Sequence, residues 1–323
     1  MPRLLARLHQ RLHRLAGGSG AAPLRRRIDR QRGRGVDVVV CVHNARDDVA
    51  ACLASVLATL GPRHRLIVID DASEPATAEF LAGLARRDGR LGLHRNAART
   101  GYTRAANLGL RLSGADFVVL LNSDTIVAPG WIEKLCDAVY GTAGAGIVGP
   151  LSNAASFQSI PDPLGTAAQT AVNALPPGIS VAAMDRQCEA WTHGAALPRV
   201  PLVHGFCLGL RRDVIDAIGP FDEVLFPDGY GEEDDFCLRA GAAGFGLVVA
   251  THTYVFHAKT RSYGLARRQA LVEAAARALR ARHGDARVDG AIAALAADPT
   301  LARIRREAAL FYAVAERAAW PMA

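Results

Sequence analysis

An α/β fold built around a parallel sheet is predicted by three features of this chain. Short apolar runs recur between residues 36 and 121, each followed by a stretch whose apolar residues return at helical spacing. The runs are nearly continuous rather than alternating, the pattern of strands covered on both faces. Polar clusters follow several of these runs, and in an open α/β sheet ligands bind outside the carboxyl ends of the strands.

In chain order, Val36–Val42 reads as a buried strand, and Asp47–Leu60 as a helix turning Val49, Leu53, Val56, Leu57 and Leu60 inward. Leu66–Ile69 is a second strand, followed by a helix near Glu74–Arg87. Leu91–His94 gives a short third strand before a helix near Tyr102–Leu112, and Phe117–Leu121 and Trp131–Tyr140 continue the alternation. Residues 151–202 break the rhythm; rich in Pro, Ser, Ala and Gln, they read as a long irregular excursion near a site. Strand character resumes at Val203–Leu210, Glu232–Ala243 is helical, and Leu247–Ala250 and Thr253–His257 are short strands. From about Leu265 the chain turns to Ala, Leu and Arg at helical spacing, interrupted near Gly284 and Pro299. The expected organisation is a basic tail over 1–35, an α/β domain over 36–264 and a helical appendage over 265–323.

The formal charge of +7 is a property of the tail. Residues 1–35 hold ten Arg and one Asp, which leaves −2 on residues 36–323. A near-neutral body argues against a nucleic-acid-binding core, whose basic residues would line a folded face. Leu4, Leu5, Leu8, Leu12 and Leu15 fall at helical spacing among Arg3, Arg7, Arg11 and Arg14. That stretch reads either as a basic amphipathic helix lying on anionic lipid or as a solvated extension. Arginines interrupt every apolar stretch there, unlike a secretory signal, and no run approaches the roughly 18 apolar residues of a membrane span. The scattered cysteines form no C-x-x-C pair, which argues against zinc and disulfide frameworks. The expected location is cytoplasmic, with peripheral contact at the inner face of the membrane as one reading of the tail.

Three polar clusters fall on one rim of the expected sheet: His43-Asn44, Asp70-Asp71-Ala72-Ser73 and Asn122-Ser123-Asp124. Asp70 and Asp71 suit a base or ribose hydroxyl, and Asp124 suits a divalent ion bridging phosphates. Singly, such residues also cap the helices that follow them. Neither G-x-G-x-x-G nor a Walker A loop follows the first strand, so any phosphates must be held by a metal and side chains.

The ordered set Val-Asp-Val-Val-Val-Cys-Val-His-Asn-Ala, Leu-Ile-Val-Ile-Asp-Asp-Ala-Ser, Gly-Tyr-Thr-Arg-Ala-Ala-Asn-Leu-Gly and Leu-Leu-Asn-Ser-Asp-Thr resembles a family 2 glycosyltransferase of GT-A fold, over about residues 36–260. The resemblance implies a Rossmann-like sheet that binds a nucleotide-sugar donor, a divalent metal (Mn2+ or Mg2+) and inversion at the anomeric carbon. By position it implies that Asp70 or Asp71 contacts the base and ribose. Asn122-Ser123-Asp124 takes the place of the D-x-D motif, with Asp124 as metal ligand and a neutral Asn122 where the family has Asp. His257 matches the family's late metal-side histidine, and Gly205–Arg212 the strand preceding the acceptor site. Arg99, Arg104 and Lys259 are candidates to meet the diphosphate. The implied partners are a UDP-, GDP- or dTDP-linked sugar and a glycan or lipid-linked acceptor, chosen by residues 151–202 and the loops around Gly229.

Glu232-Glu233-Asp234-Asp235-Phe236-Cys237-Leu238-Arg239 resembles the E-D-x-D-x-C-x-R stretch of such enzymes. That register matches Glu233 to the general base, with Glu232 and Asp234 as its neighbours and next candidates. Carboxylates held together raise one another's pKa, which helps one take a proton near neutrality. Dipole compensation at a helix N-terminus is the purely structural account of the same run. Asp235 and Arg239 are expected to pair at i,i+4. His252 and His257 lie five apart, so an unbroken strand turns them to opposite faces. Trp131 reads as core, while Trp191 lies in the excursion. Two other classes stay open: a sugar-phosphate nucleotidyltransferase, which lacks its usual Gly- and Arg-rich loop here, and a nucleotide-sugar-binding scaffold without activity.

Overall fold

The computed structural model describes residues 21–31, 33–165, 171–259 and 265–319. The Leu/Arg stretch of residues 4–15 lies outside them. Strands β1 (Val36–Val42), β2 (His64–Asp70), β3 (Leu91–Arg95) and β4 (Phe117–Asn122) run parallel, joined by helices α2 (Arg46–Thr59), α3 (Pro75–Arg87) and α4 (Tyr102–Leu112). They follow α1 (Ala21–Gln31), which docks Arg27 by two hydrogen bonds of 3.0 and 2.7 Å onto buried Asp137. After β4 come a two-residue strand β5 (Thr125–Ile126), α5 (Trp131–Gly141) and β6 (Ala145–Leu151). A 3-10 turn (Ser156–Gln158) and α6 (Val181–Thr192) lead to β7 (Cys207–Arg211) and α7 (Arg212–Ile218). The domain closes with α8 (Glu232–Ala242), β8 (Gly246–Tyr254) and β9 (Phe256–His257), then the appendage helices α9 (Leu265–His283), α10 (Asp285–Ala297) and α11 (Pro299–Ala319).

The seven-stranded sheet has the order β3-β2-β1-β4-β7-β6-β8. The expected parallel pairing holds along β3-β2-β1-β4 and between β6 and β8, while β7 runs antiparallel to both β4 and β6. Composition reports that a strand is buried on both faces but not which way it runs. The excursion is also more ordered than its composition suggests. It holds α6, started by Ser180, whose hydroxyl accepts from the Ala183 N–H at 3.2 Å.

Alternate residues of β1 separate the two layers. Val38, Val40 and Val42 pack with Leu53 and Val56 of α2 and with Trp131, Leu135 and Val139 of α5. Val39 packs with Ala105, Ala106 and Leu110 of α4 in the opposite cluster, which also takes Phe236 of α8 and Ile304 of α11. Gly109 lets α4 approach closely, since a Cβ there would fall 2.2 Å from Val39 Cγ1. This two-layer core fixes the carboxyl ends of β1, β2 and β4 at a common rim. Among the described residues no helix is long and apolar enough to cross a membrane.

Candidate functional site

The rim clusters divide into residues that build the site and residues left to face it. Asp70 is fully buried; its Oδ1 accepts the Ser73 N–H at 2.9 Å, and its Oδ2 pairs with Arg95. Asp71 is 4% exposed and organises residues 96–101. Its Oδ1 accepts from Asn96 Nδ2, Thr100 N and Thr100 Oγ1, each at 2.8 Å, and its Oδ2 from Gly101 N at 2.9 Å. Burial pushes the Asp71 pKa up, but these bonds outweigh it and hold the carboxyl below the ordinary aspartate range. Gly101 has φ 91°, and a Cβ there would meet Pro227 O at 2.6 Å, so this loop is fitted against the segment leading into α8.

His43 and Asn44 also serve the rim. His43 Nδ1 lies 2.9 Å from Asp71 O, which makes Nδ1 the protonated nitrogen and leaves the ring exposed. Asn44, at φ 61°, receives the Glu74 N–H on Oδ1 at 2.7 Å and gives its own N–H to Ser73 Oγ at 2.9 Å. Arg104 is paired with Glu223 at 3.6 Å. Arg99 lies in the loop that Asp71 organises, and Lys259 follows His257 at φ 59°.

Asn122, Ser123 and Asp124 leave β4 half-buried. The short pairing of β5 with β9 sets Thr125 opposite His257. It brings Asp124 Oδ1 to 3.3 Å from His257 Nε2, with the two side chains 15% and 6% exposed. His257 is held on every side. Its Nδ1 lies 2.9 Å from Ala154 O, its N–H donates to Asn153 Oδ1 at 2.7 Å, and its C=O accepts from Asn153 Nδ2 at 2.9 Å. The Nδ1–H bond to a carbonyl leaves the Nε2 lone pair free to face Asp124, the arrangement common around metal-ligating histidines. Phe206 stacks on the ring at 5.3 Å and 15°. One carboxylate and one oriented imidazole fit Mn2+ or Mg2+, which fill remaining positions with water and phosphate oxygens. Among the described residues no group of three or more His, Cys, Asp or Glu forms a closed metal cage.

The acidic run begins α8 directly after Gly231. Its members diverge in environment. Glu232 is 5% exposed, and its Oε2 is buried without a hydrogen bond. Burial first, then repulsion from Glu233, drives its pKa well above the usual range. Burial and Glu233 likewise push Asp234 up to about 8. Glu233 is raised by burial too, but backbone N–H groups oppose the rise, among them Gly205 to Oε1 at 3.3 Å and Gly231 to Oε2 at 3.2 Å. Glu233 is therefore the member of the three whose ionised form the backbone supports best. Asp235 is fully buried and pairs with Arg239 at 2.7 Å.

Acid and histidine meet across the segment His204-Gly205-Phe206. Gly205 N donates to Glu233, while Phe206 and His204 flank His257, with ring centroids 5.3 and 6.4 Å away. Sequence reasoning attached this segment to the acceptor side but missed its role as spacer, and it missed Asn153 altogether. The segment acts through the Gly205 N–H and Asn153 grips the backbone of His257, contacts between residues far apart in sequence that leave little mark on composition. His252 is buried on β8 with Nε2 3.8 Å from Asp137, away from Asp124. Trp131 is buried in the core, and Trp191 packs edge-on against Phe311 of α11.

Comparison with known proteins bears on the fold and on part of the sequence. Residues 37–154 match glycosyl transferase family 2. An uncharacterised protein of Mycobacterium tuberculosis H37Rv is 29% identical over 163 residues, which is 49% of this chain and 53% of that protein. The N-acetylglucosaminyl-diphospho-decaprenol L-rhamnosyltransferase of M. tuberculosis CDC 1551 is 30% identical over 162 residues, 46% of this chain and 49% of the relative. The chain thus spans about half the length of these curated relatives. Among solved structures, the mannosyltransferase PcManGT from Pyrobaculum calidifontis, in complex with GDP-Man and Mn2+, superposes with a TM-score of 0.51 at 17% identity. That superposition covers 96% of this chain and 99% of the other. The fold is that of GT-A glycosyltransferases, and a helical C-terminal region is present.

Proposed function

We propose that this chain transfers a sugar from a nucleotide-sugar donor to an acceptor hydroxyl, with inversion and with divalent-metal assistance. The observation that carries the reading is the juxtaposition of Glu233 with the Asp124–His257 pair across His204-Gly205-Phe206. Single displacement needs a base at the acceptor hydroxyl and a cation at the leaving diphosphate, on opposite sides of the anomeric carbon. In this reading Glu233, its raised pKa held in check by backbone N–H groups, takes the hydroxyl proton. Asp124 and His257 hold Mn2+ or Mg2+, which when bound neutralises charge on the diphosphate. Asp71 shapes the loop against which the nucleotide lies, and its Oδ2, with one protein donor, keeps room for a donor group. Asn122 replaces a metal-side carboxylate with a neutral amide that suits a ribose hydroxyl. A lipid-linked saccharide acceptor is supported by the rhamnosyltransferase relative, and contact of the Arg-rich tail with anionic lipid would suit such an acceptor.

The test is thermal stability of the full chain against UDP-, GDP- and dTDP-sugars, with and without Mn2+. A Mn2+-dependent rise in Tm with one nucleotide class supports the reading and names the donor class. No rise with any donor counts against it.

A further inference from the structure

The geometry points to the three C-terminal helices as a brace for both halves of the site, with His283 positioning the helix of Glu233 and Arg305 positioning the loop that holds His257. The inference rests on the roles given above to Glu233 and to the Asp124–His257 pair.

The first leg of the brace runs through Asp235, two residues beyond Glu233 on α8. A carboxylate with no exposure must be paired to be tolerated as an anion. Its Oδ2 is satisfied within α8 by Arg239, but its Oδ1 is satisfied by α9: His283 Nε2 lies at 2.8 Å and Arg282 Nε at 3.3 Å. Arg282 also reaches Asp222 at 2.7 Å, tying the segment before α8 to the same helix. Ala275 and Leu279 of α9 close over Phe226. The Ala275 methyl sits 3.0 Å from where a Cβ on Gly231 would lie, so α9 is seated against the residue that starts α8. Gly231 supplies one of the N–H groups on Glu233. His283 therefore touches no reacting group, yet fixes the turn that presents one.

A second leg reaches the metal side. Arg305 of α11 donates to Phe157 O, and Arg303 donates to Trp191 O at 2.8 Å. Phe157 sits three residues after Ala154, whose carbonyl orients the His257 ring. It also adjoins Gln158, whose Oε1 accepts the His204 N–H at 2.7 Å. Leu301, Ile304, Ala308 and Tyr312 bury the apolar side of α11 in the cluster of Met184, Cys188 and Tyr254. Apolar packing alone would attach the appendage; these polar contacts instead end on the segments next to each candidate group.

The experiment compares the full chain with His283→Leu, His283→Gln, Arg305→Leu and Glu233→Gln. Amide hydrogen exchange is read over residues 231–236 and 152–159, and Mn2+-dependent donor affinity and turnover are measured with the donor found above. His283→Leu should speed exchange at 231–236 about tenfold, as expected for one lost bond to a charged group. It should lower kcat and leave donor Kd within about twofold, and His283→Gln, which keeps an N–H donor, should restore both exchange and kcat. Arg305→Leu should speed exchange at 152–159 and weaken donor binding about tenfold, with 231–236 still protected. Equal loosening of both segments by either variant, no local change, or no rescue by Gln would overturn the brace. Glu233→Gln separates the two ideas: full turnover in that variant refutes the base, while the exchange results still judge the brace.

Discussion

Asp71→Asn tests whether the rim is organised by charge. The carboxylate takes four donors, three on Oδ1 and one on Oδ2, within a site that is 4% exposed. An amide of the same shape removes the charge from all four bonds and turns an NH2 toward at least one N–H. Hydrogen bonds to charged groups contribute about 1.5–3 kcal/mol each, and an orphaned buried donor costs about 1–3 kcal/mol. A net loss of about 3 kcal/mol follows after relaxation, or about 4 °C in Tm for a chain of this size. The pH dependence has a definite sign. Because the folded-state pKa of Asp71 is lowered, its contribution is complete above the unfolded value of about 3.9 and is lost as pH falls through the lower folded value. Calorimetry at pH 7, 5 and 4 should show a constant gap between the wild type and Asp71→Asn at the first two values, narrowing only toward the third and below. A gap under 2 °C at pH 7, or one that widens on acidification, would refute the assignment of Asp71 as an ionised organiser.

Three further outcomes follow from the site. Glu233→Gln should lower kcat by about 10²-fold or more while leaving nucleotide affinity within about twofold, because a general base acts in the transition state; near-normal turnover would pass the role to Glu232 or Asp234. Asp124→Ala should weaken Mn2+-dependent donor binding about 10- to 100-fold by calorimetry, and unchanged affinity would end its metal role. Asp234→Asn should raise Tm by about 3 °C or more at pH 8 and by nothing at pH 4. A carboxyl raised to about 8 binds extra protons in the folded state and so loses stability as pH rises through that window; a pH-independent gain would refute the shifted titration.

Much of the fold could be read from residues because β1, β2 and β4 are near-continuous runs of Val, Ile and Leu whose burial on both faces matches their composition. Ala145–Leu151 was harder to see. It carries Gly146, Gly149 and Pro150, which weaken any strand signal, yet its seven residues are all buried. Gly246–Tyr254 is one strand where two short ones are expected, because Thr251 and His252 look like a polar break but are buried beside α5 and α6. At the site, the sequence places Asp124 and His257 in motifs 133 residues apart, and only the β5–β9 pairing brings them within 3.3 Å. The backbone donors of Gly205 and Gly231, and the carbonyl of Ala154, carry no side-chain signature at all.

The four consecutive acids pose an electrostatic problem that the structure resolves differently at each position. A helix N-terminus alone would favour all four about equally, at about 0.3–1 kcal/mol each, too little to keep buried carboxylates charged together. Asp235 is neutralised by Arg239, Arg282 and His283 and becomes an anchor. Glu232 and Asp234 meet burial and repulsion instead, which drive the Glu232 pKa well above the usual range and push Asp234 up to about 8. Glu233 alone gains backbone N–H donors from two directions, Gly205 before β7 and Gly231 before α8. The run therefore works by difference: backbone N–H groups from two segments support the ionised form of Glu233, and the ion pairs of Asp235 hold the turn in place. Burial raises the Glu233 carboxyl above the ordinary range and makes it a stronger base, while those N–H groups hold the rise in check.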